Sequence, residues 1–168
     1  MSKASMYYIY KCFSLYLLSQ LNVIKMKKIL VIACFLTLCI CNAQSSKKAD
    51  IKAIETVLKK QRIAWSKGDL EGFMKGYWKS DSLKFYSTSG LTSGWHDTFE
   101  KYEKGYPSLD DMGTLNFILN DITKISDNAY YVMGEFHLKR KIGNANGIFM
   151  LIFKKINGEW KIIADTSC

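Results

Sequence analysis

The feature that most constrains this chain is a period-two alternation of apolar and polar residues, which begins after Gly113. Its clearest apolar positions are Leu115, Phe117, Leu119, Tyr130, Val132, Phe136 and Leu138. Side chains alternate between the two faces of a β-strand, so this pattern predicts strands that each bury one face. Turn-forming residues separate the strands at 126–128, 143–147 and 157–158. The pattern over residues 114–164 therefore predicts an antiparallel meander of four strands.

One strand of this meander differs from the others. Residues 148–153 are apolar on both parities, which is typical of a central strand that is covered on both faces. Residues 160–164 then close the sheet after the tight turn at 157–158. We therefore expect 148–153 to lie near the middle of the sheet with neither face exposed.

The first half of the body shows helical periodicity instead. From Asp50, apolar residues recur at intervals of three and four while basic residues fill much of the other face, which indicates an amphipathic helix. Gly68 suits the C-cap of this helix and Asp69 suits the N-cap of a second helix over 70–78. Three further elements complete this half: a strand over 83–88, a turn-rich loop over 89–94 and a third helix over 95–104. The order predicts one α+β domain over residues 44–168.

The first 43 residues differ in composition from this body. They contain five lysines, no acidic residue and four of the five cysteines. Residues 26–43 carry two lysines, a twelve-residue apolar run from Ile29 to Ile40 and small residues before Gln44, which predicts a cleaved secretory signal peptide and a periplasmic or secreted product. The alternative is an uncleaved membrane anchor, although twelve residues are too few to span about 30 Å of hydrocarbon. We expect residues 1–25 to be an upstream extension, with translation beginning at Met26.

Composition disfavours several classes of function. Beyond residue 43 there are 19 basic and 15 acidic residues, and this small surplus is scattered, so a nucleic-acid partner is not indicated. The single remaining cysteine, Cys168, cannot build a disulfide framework or a cysteine-based zinc site. No phosphate-binding glycine loop, dinucleotide motif or nucleophile elbow occurs, so we predict no cofactor and no covalent catalysis.

Short strings in a fixed order carry a resemblance to a known family. They are AWSKGDLEGF at 64–73, GW at 94–95, YEKGYP at 102–107, MGEFHL at 133–138 and the run at 151–165. With these strings the chain resembles the nuclear transport factor 2-like superfamily, and more closely the SnoaL-like, ketosteroid-isomerase-like branch of secreted bacterial proteins. Similar sequences often have a histidine after the position of Asp165, whereas this chain has Thr166.

The resemblance implies an α+β cone, in which a strongly curved antiparallel sheet wraps around three helices and encloses an apolar pocket. It also implies frequent homodimers through the outer face of the sheet. It does not imply a reaction, because the same fold serves isomerases, dehydratases, pure binding proteins and association modules.

Aromatic residues supply the candidates for ligand binding. Seventeen lie in residues 44–168, and six of them fall in segments that would form the open end of such a cone: Tyr77, Trp78, Tyr86, Trp95, Tyr102 and Tyr106. A pocket lined in this way favours a flat or apolar ligand. The alternative is that aromatic residues only fill the core, as we expect of Trp65, Phe73, Phe117, Phe153 and Trp160.

Three residues are candidates for proton transfer: Asp165, Glu135 and His137. Asp165 or Glu135 with a tyrosine would follow the logic of ketosteroid isomerase, in which a carboxylate base works beside hydrogen-bond donors in an apolar cavity. Glu135 and His137 share the less apolar parity of their strand, so both can instead face solvent or a dimer interface. Asp165 can equally be a structural hydrogen-bond anchor. Two histidines without ligand spacing do not support a metal site.

The sequence leaves three functions open. The first is an exported domain that binds a small apolar or aromatic molecule, and the second is a cofactor-free isomerase or dehydratase. The third is an association module that dimerises through its sheet. The first two differ in whether a carboxylate points into the cavity.

Overall fold

The computed structural model describes residues 47–168, of which Ala49–Cys168 form one compact unit. The predicted signal peptide, its cleavage before Gln44 and the upstream extension lie outside the described residues. Within residues 47–168, no helix is both long enough and apolar enough to cross a membrane.

Four helices are present in the described part: α1 over 47–65, α2 at Leu70–Met74, α3 at Trp95–Gly105 and α4 at Leu109–Met112. Asp69 caps α2 as predicted, since its Oδ1 accepts a hydrogen bond from the Gly72 amide at 2.8 Å. The prediction that this helix reaches residue 78 is wrong. The Trp78 amide donates to the Ile162 carbonyl, and the Ile162 amide donates to the Gly76 carbonyl, so these residues pair with a strand instead.

Six strands form one sheet: β1 at Lys84–Ser87, β2 at Gly90–Ser93, β3 at Thr114–Ser126, β4 at Ala129–Lys139, β5 at Ala145–Ile156 and β6 at Glu159–Ser167. Their order is β2-β1-β6-β5-β4-β3. The predicted meander β3 to β6 is antiparallel throughout, with Asn157 and Gly158 both at positive φ in the last turn. The sheet as a whole is mixed, because β1 pairs in parallel with β6.

Two short elements were not predicted. The loop expected over 89–94 contains β2, which pairs with β1 through a hairpin closed between Ser87 and Gly90. The other is α4, which lies between Pro107 and Gly113 and is capped by Ser108. Both are four residues long, too short for periodicity to show in the sequence.

The sheet is curved and does not close on itself, in agreement with the predicted cone. Register shifts leave Asn120 as an extra residue on β3 and Ile163 as an extra residue on β6, and these bend their strands, as β-bulges do. The helices and the inner face of the sheet enclose the core, in which Ile54 of α1 and Phe153 of β5 are fully buried.

β5 lies inside the sheet as predicted, but the expectation that both its faces are covered is wrong within the described residues. Phe149, Leu151 and Phe153 are buried, whereas Ile148 is 67% exposed and Met150 is also exposed. The helices pack against one face only, and no described element covers the other. We call this uncovered side of β3, β4 and β5 the outer sheet face.

Candidate ligand-binding cavity

A cavity of about 390 Å³ lies between the helices and the inner face of the sheet. Its walls are mostly apolar, and six of the rings that line it are Trp65, Phe73, Phe85, Phe117, Phe136 and Phe149. Two of these, Phe117 and Phe149, meet edge to face with ring centroids 5.5 Å apart. The cavity therefore offers flat aromatic surfaces to an occupant.

The strands place these rings by their period of two. Leu115 and Phe117 of β3 line the cavity, and so do Phe136 and Leu138 of β4. These positions belong to the apolar parity that the sequence shows, so the predicted inner face of the meander is confirmed. Three residues that we expected only to fill the core are part of the cavity wall: Trp65, Phe73 and Phe117.

Asp165 is the buried acid of this cavity and is only 4% exposed. Its Oδ2 accepts a hydrogen bond from Tyr77 Oη at 2.6 Å, and its Oδ1 accepts one from Ser167 Oγ at 2.5 Å. Tyr102 Oη lies 3.5 Å from Tyr77 Oη. We call Asp165, Tyr77, Tyr102 and Ser167 the Asp165 cluster.

Burial determines the electrostatics of this cluster. Loss of water raises the pKa of Asp165 from 3.8 to about 6, although the hydrogen bonds from Ser167 and Tyr77 act in the opposite direction. Burial and the neighbouring Asp165 charge raise the pKa of Tyr77 and of Tyr102 well above the ordinary tyrosine value. At neutral pH the cluster therefore presents a carboxylate acceptor beside two hydroxyl donors.

Four of the predicted site residues come together in the cavity lining: Asp165, Tyr77, Tyr102 and Tyr106. The rings of Tyr102 and Tyr106 are stacked, with centroids 6.1 Å apart. These residues come from β6, from the segment after α2, and from α3 and its C-cap.

The other three aromatic candidates do not line this cavity. Tyr86 is 53% exposed because it follows Phe85 on β1 and points to the other side of the strand. Trp95 stacks on Phe99 at 5.4 Å, and its Nε1 donates to the Met74 carbonyl at 3.2 Å. Trp78 is half-buried.

Glu135 and His137 lie on the outer sheet face, away from the cavity. Phe136, between them, lines the cavity, so its neighbours point to the opposite side of β4. His137 Nε2 is 3.1 Å from Glu135 Oε2, and both side chains are partly exposed. Within residues 47–168 no cluster of three or more His, Cys, Asp or Glu residues could hold a metal ion.

Sequence reasoning missed five polar residues of the cavity: Gln61, Ser87, Thr88, Lys101 and Ser167. Gln61 is buried, and its Nε2 donates to the Phe73 carbonyl at 3.0 Å. Gln61 lies on the apolar stripe of α1 between Leu58 and Trp65, and this position could have predicted its burial. Ser167 lies two residues after Asp165, and this spacing could have predicted that both side chains share one face of the strand.

These features define a class of protein: a curved sheet packed on helices, around an apolar cavity that contains one buried acid. A crystal structure of an "NTF-2 like protein of unknown function" from Shewanella oneidensis MR-1 is 36% identical to this chain, with a TM-score of 0.68. The match covers 70% of this chain and 98% of that one. The chain belongs to the nuclear transport factor 2-like superfamily, which confirms the resemblance seen in its sequence.

More distant structures share the fold alone. A nuclear transport factor 2-like superfamily protein from Salmonella enterica serovar Typhimurium is 16% identical, with a TM-score of 0.56 over 75% of this chain and 92% of that one. A ketosteroid isomerase-like protein from Erwinia carotovora is 12% identical, with a TM-score of 0.55 over 69% and 92%. No family model matches the chain, and no curated protein sequence matches it.

Proposed function

We propose that this domain binds one small, largely apolar molecule with a flat ring system inside its cavity. The observation that carries the proposal is the lining, in which aromatic rings surround the single hydrogen-bonded Asp165 cluster. The volume of about 390 Å³ falls in the usual range of ligand pockets, about 300 to 1,000 Å³.

The Asp165 cluster would supply the polar contacts to such a ligand. Tyr102 Oη stays protonated because its pKa is raised, and it can donate its one proton to a carbonyl or hydroxyl oxygen of a ligand in place of the long 3.5 Å contact to Tyr77 Oη. Asp165 keeps free lone pairs beyond its bonds to Tyr77 and Ser167, so it can accept a hydrogen bond from a ligand hydroxyl. A ring system that carries one hydroxyl or carbonyl group fits this arrangement.

Titration with 2-naphthol, followed by tryptophan fluorescence, tests the proposal. Phe117→Ala removes one ring of the wall, so we expect it to weaken binding about tenfold. Tyr86→Ala is the matched control, since it removes an aromatic ring from the opposite side of β1. Absence of binding to the wild-type protein, or equal effects of the two substitutions, would contradict the proposal.

A second candidate function, cofactor-free isomerisation, is favoured by the pKa of Asp165 near 6 beside tyrosine donors. Asp165 would take a proton from the carbon next to a ligand carbonyl, so that a C–H bond breaks and an O–H bond forms on the carboxylate. Tyr102 Oη would donate a hydrogen bond to the resulting enolate oxygen. Asp165 would then return the proton to a different carbon, which completes the isomerisation.

Conversion of 3-cyclohexenone to its conjugated isomer, followed by ultraviolet absorbance, tests this candidate. Asp165→Asn keeps the shape but removes the base, so we expect it to lower the rate by about 10² to 10⁴. Tyr86→Phe serves as the control because it lies outside the cavity. A wild-type rate equal to that of buffer would exclude this isomerisation and leave the binding proposal intact.

We also propose that the domain is exported, on the support of the signal-like composition of residues 26–43. Intact mass of protein expressed from Met26 in a bacterial host tests this, with a mature chain beginning at Gln44 as the expected result. A mature chain that keeps residues 26–43 would contradict export by cleavage and favour the membrane anchor.

A further inference from the structure

Building on the proposed binding function, we propose that the cavity takes an aromatic or alicyclic molecule that carries one anionic group, and that this group pairs with Lys101. Lys101 is on α3 and belongs to the cavity lining together with the neighbouring hydroxyl residue Ser87 of β1.

The Lys101 side chain is held in place by neutral partners. Its Nζ donates to Ser87 Oγ at 2.9 Å and to Thr92 Oγ1 at 3.3 Å. The same ammonium lies 5.0 Å from the centroid of the Phe85 ring, which also lines the cavity. Two hydroxyl contacts leave one of the three ammonium donors free for a ligand.

Lys101 lacks an acidic partner within the described residues. No carboxylate of residues 47–168 lies within 4.0 Å of its Nζ. Lys104, three residues further along α3, pairs with Glu100 at 3.0 Å. A half-buried cation without a counterion is unfavourable, and an anion beside an apolar wall is attracted to it more strongly than in bulk water.

The position of Lys101 also orients the ligand. Phe85 of β1 lies beside Asp165 of β6 in the parallel register. Ser87, which accepts a hydrogen bond from the Lys101 ammonium, lies two residues after Phe85 on the same face of β1, about 7 Å from it. The anionic Asp165 and the cationic Lys101 therefore lie at two separate positions in the cavity. An acidic ligand group is repelled from Asp165 and attracted to Lys101, and a neutral polar group fits the Asp165 cluster.

Two probes with the same ring system, 6-hydroxy-2-naphthoate and 2-naphthol, test this inference by tryptophan fluorescence titration. We expect the wild-type protein to bind the carboxylate about tenfold more tightly than the neutral naphthol. Lys101→Met keeps most of the length of the side chain but removes its charge, so it should abolish this preference. Lys101→Arg keeps the charge and should keep the preference.

Lys104→Met is the matched control, because it removes an exposed charge from the same helix and should leave the preference unchanged. Equal wild-type affinity for both probes, or a preference that survives Lys101→Met, would overturn the inference and leave the binding function standing. If wild-type protein bound neither probe, the inference and the proposed function would both be overturned. Melting temperatures of the four proteins identify any variant that fails to fold. If Lys101→Met does not fold, the affinities of Lys101→Arg for the two probes are compared with those of the wild-type protein.

Discussion

Asp165 lies with its carboxylate between two hydroxyl donors, Tyr77 Oη and Ser167 Oγ, in a cavity that is otherwise mostly apolar. Its pKa is about 6 in the folded protein, above the ordinary value of 3.8. The folded state therefore disfavours the charged form relative to the unfolded state. The corresponding stability is fully present below pH ~4 and is lost as the pH rises through about 6, an effect of about 3 kcal/mol.

Asp165→Asn should reveal this dependence, since asparagine does not ionise. Relative to the variant, we expect the wild-type free energy of unfolding to fall by about 2 kcal/mol or more between pH 4 and pH 7.5. Urea unfolding of both proteins at the two pH values measures this difference. If the two proteins had the same pH dependence, the Asp165 carboxyl would not be desolvated, which would contradict the structure.

Trp65 contributes to the core and to the cavity wall at once. Its Nε1 donates to the Met112 carbonyl at 2.8 Å, and its ring meets Phe73, Tyr102 and Tyr106 edge-on. Trp65→Ala should therefore lower the free energy of unfolding by about 3 to 5 kcal/mol. Trp65→Phe keeps a ring but leaves the carbonyl without its donor, so a loss of about 1 to 2 kcal/mol is expected. Chemical denaturation tests both values, and a loss below about 1 kcal/mol for Trp65→Ala would contradict this role.

At the scale of elements, the bend of the sheet depends on a close approach between β3 and β4 at Gly134. A methyl group at this position would lie 2.3 Å from the Ile118 carbonyl oxygen and 2.7 Å from the Phe149 ring. Gly134 pairs with Leu119, which is the last residue of β3 before the register shift. Glycine thus allows the strands to meet where the cavity wall curves.

Gly134→Ala should push Phe149 or the β3 backbone aside, at a cost of about 1 to 3 kcal/mol. Gly105→Ala is the control, because no atom outside its own helix lies within 4 Å of the added methyl group. We expect the control to change stability by less than about 0.5 kcal/mol. If the two variants were equally stable to heat and to urea, the strands would accommodate the added methyl group at Gly134 without loss of stability, which would contradict this prediction.

The elements differ in how well the sequence predicted them. The helix over 95–104 was predicted nearly to its end, and the four strands of the meander were predicted in the right order, because each repeats its pattern over several residues. Two strands are longer than predicted, since β5 spans Ala145–Ile156 and β6 spans Glu159–Ser167. The end of α2 was missed, since residues 76–78 leave the helix to bond with Ile162, which is far away in the sequence. β2 was missed because its pairing with β1, rather than its own composition, makes it a strand.

At the scale of the whole molecule, the outer sheet face exposes several large apolar side chains. Met133 on β4 pairs with Met150 on β5, and both are exposed. Ile118 and Ile148, also exposed, stand on either side of Glu135 in the same register. Apolar side chains grouped in this way are typical of an interface. The homodimer predicted from the sequence remains a prediction, and this face is where we expect it.

Sedimentation of the purified domain tests the dimer. Ile148→Lys places a charge on the face, so we expect a shift from dimer to monomer, because burying an unpaired lysine is unfavourable. Ile142→Lys is the control, since this exposed isoleucine lies between β4 and β5, outside both strands. A monomeric wild-type protein would contradict the prediction, and so would a dimer that tolerates Ile148→Lys.

Local patterns in the sequence determined the α+β class, the meander, the apolar parity of β3 and β4 and the superfamily. These properties were accessible because they depend on residues close together in the chain. Asp165, Tyr77, Tyr102 and Tyr106 were also predicted as site residues, but together with Glu135, His137, Trp78, Tyr86 and Trp95, which the structure places elsewhere.

Only the tertiary structure decided which candidates meet. Tyr77 and Asp165 are 88 positions apart in the chain, and their hydrogen bond exists because the segment after α2 pairs in parallel with β6 at Ile162. Adjacent residues of a strand point to opposite faces, so Phe85 joins the cavity while Tyr86 does not, and Phe136 joins it while Glu135 does not. For β5, which is apolar on both parities, which face becomes the inner one depends on where the helices pack. That packing is a property of the whole fold, and no local segment of the sequence contains it.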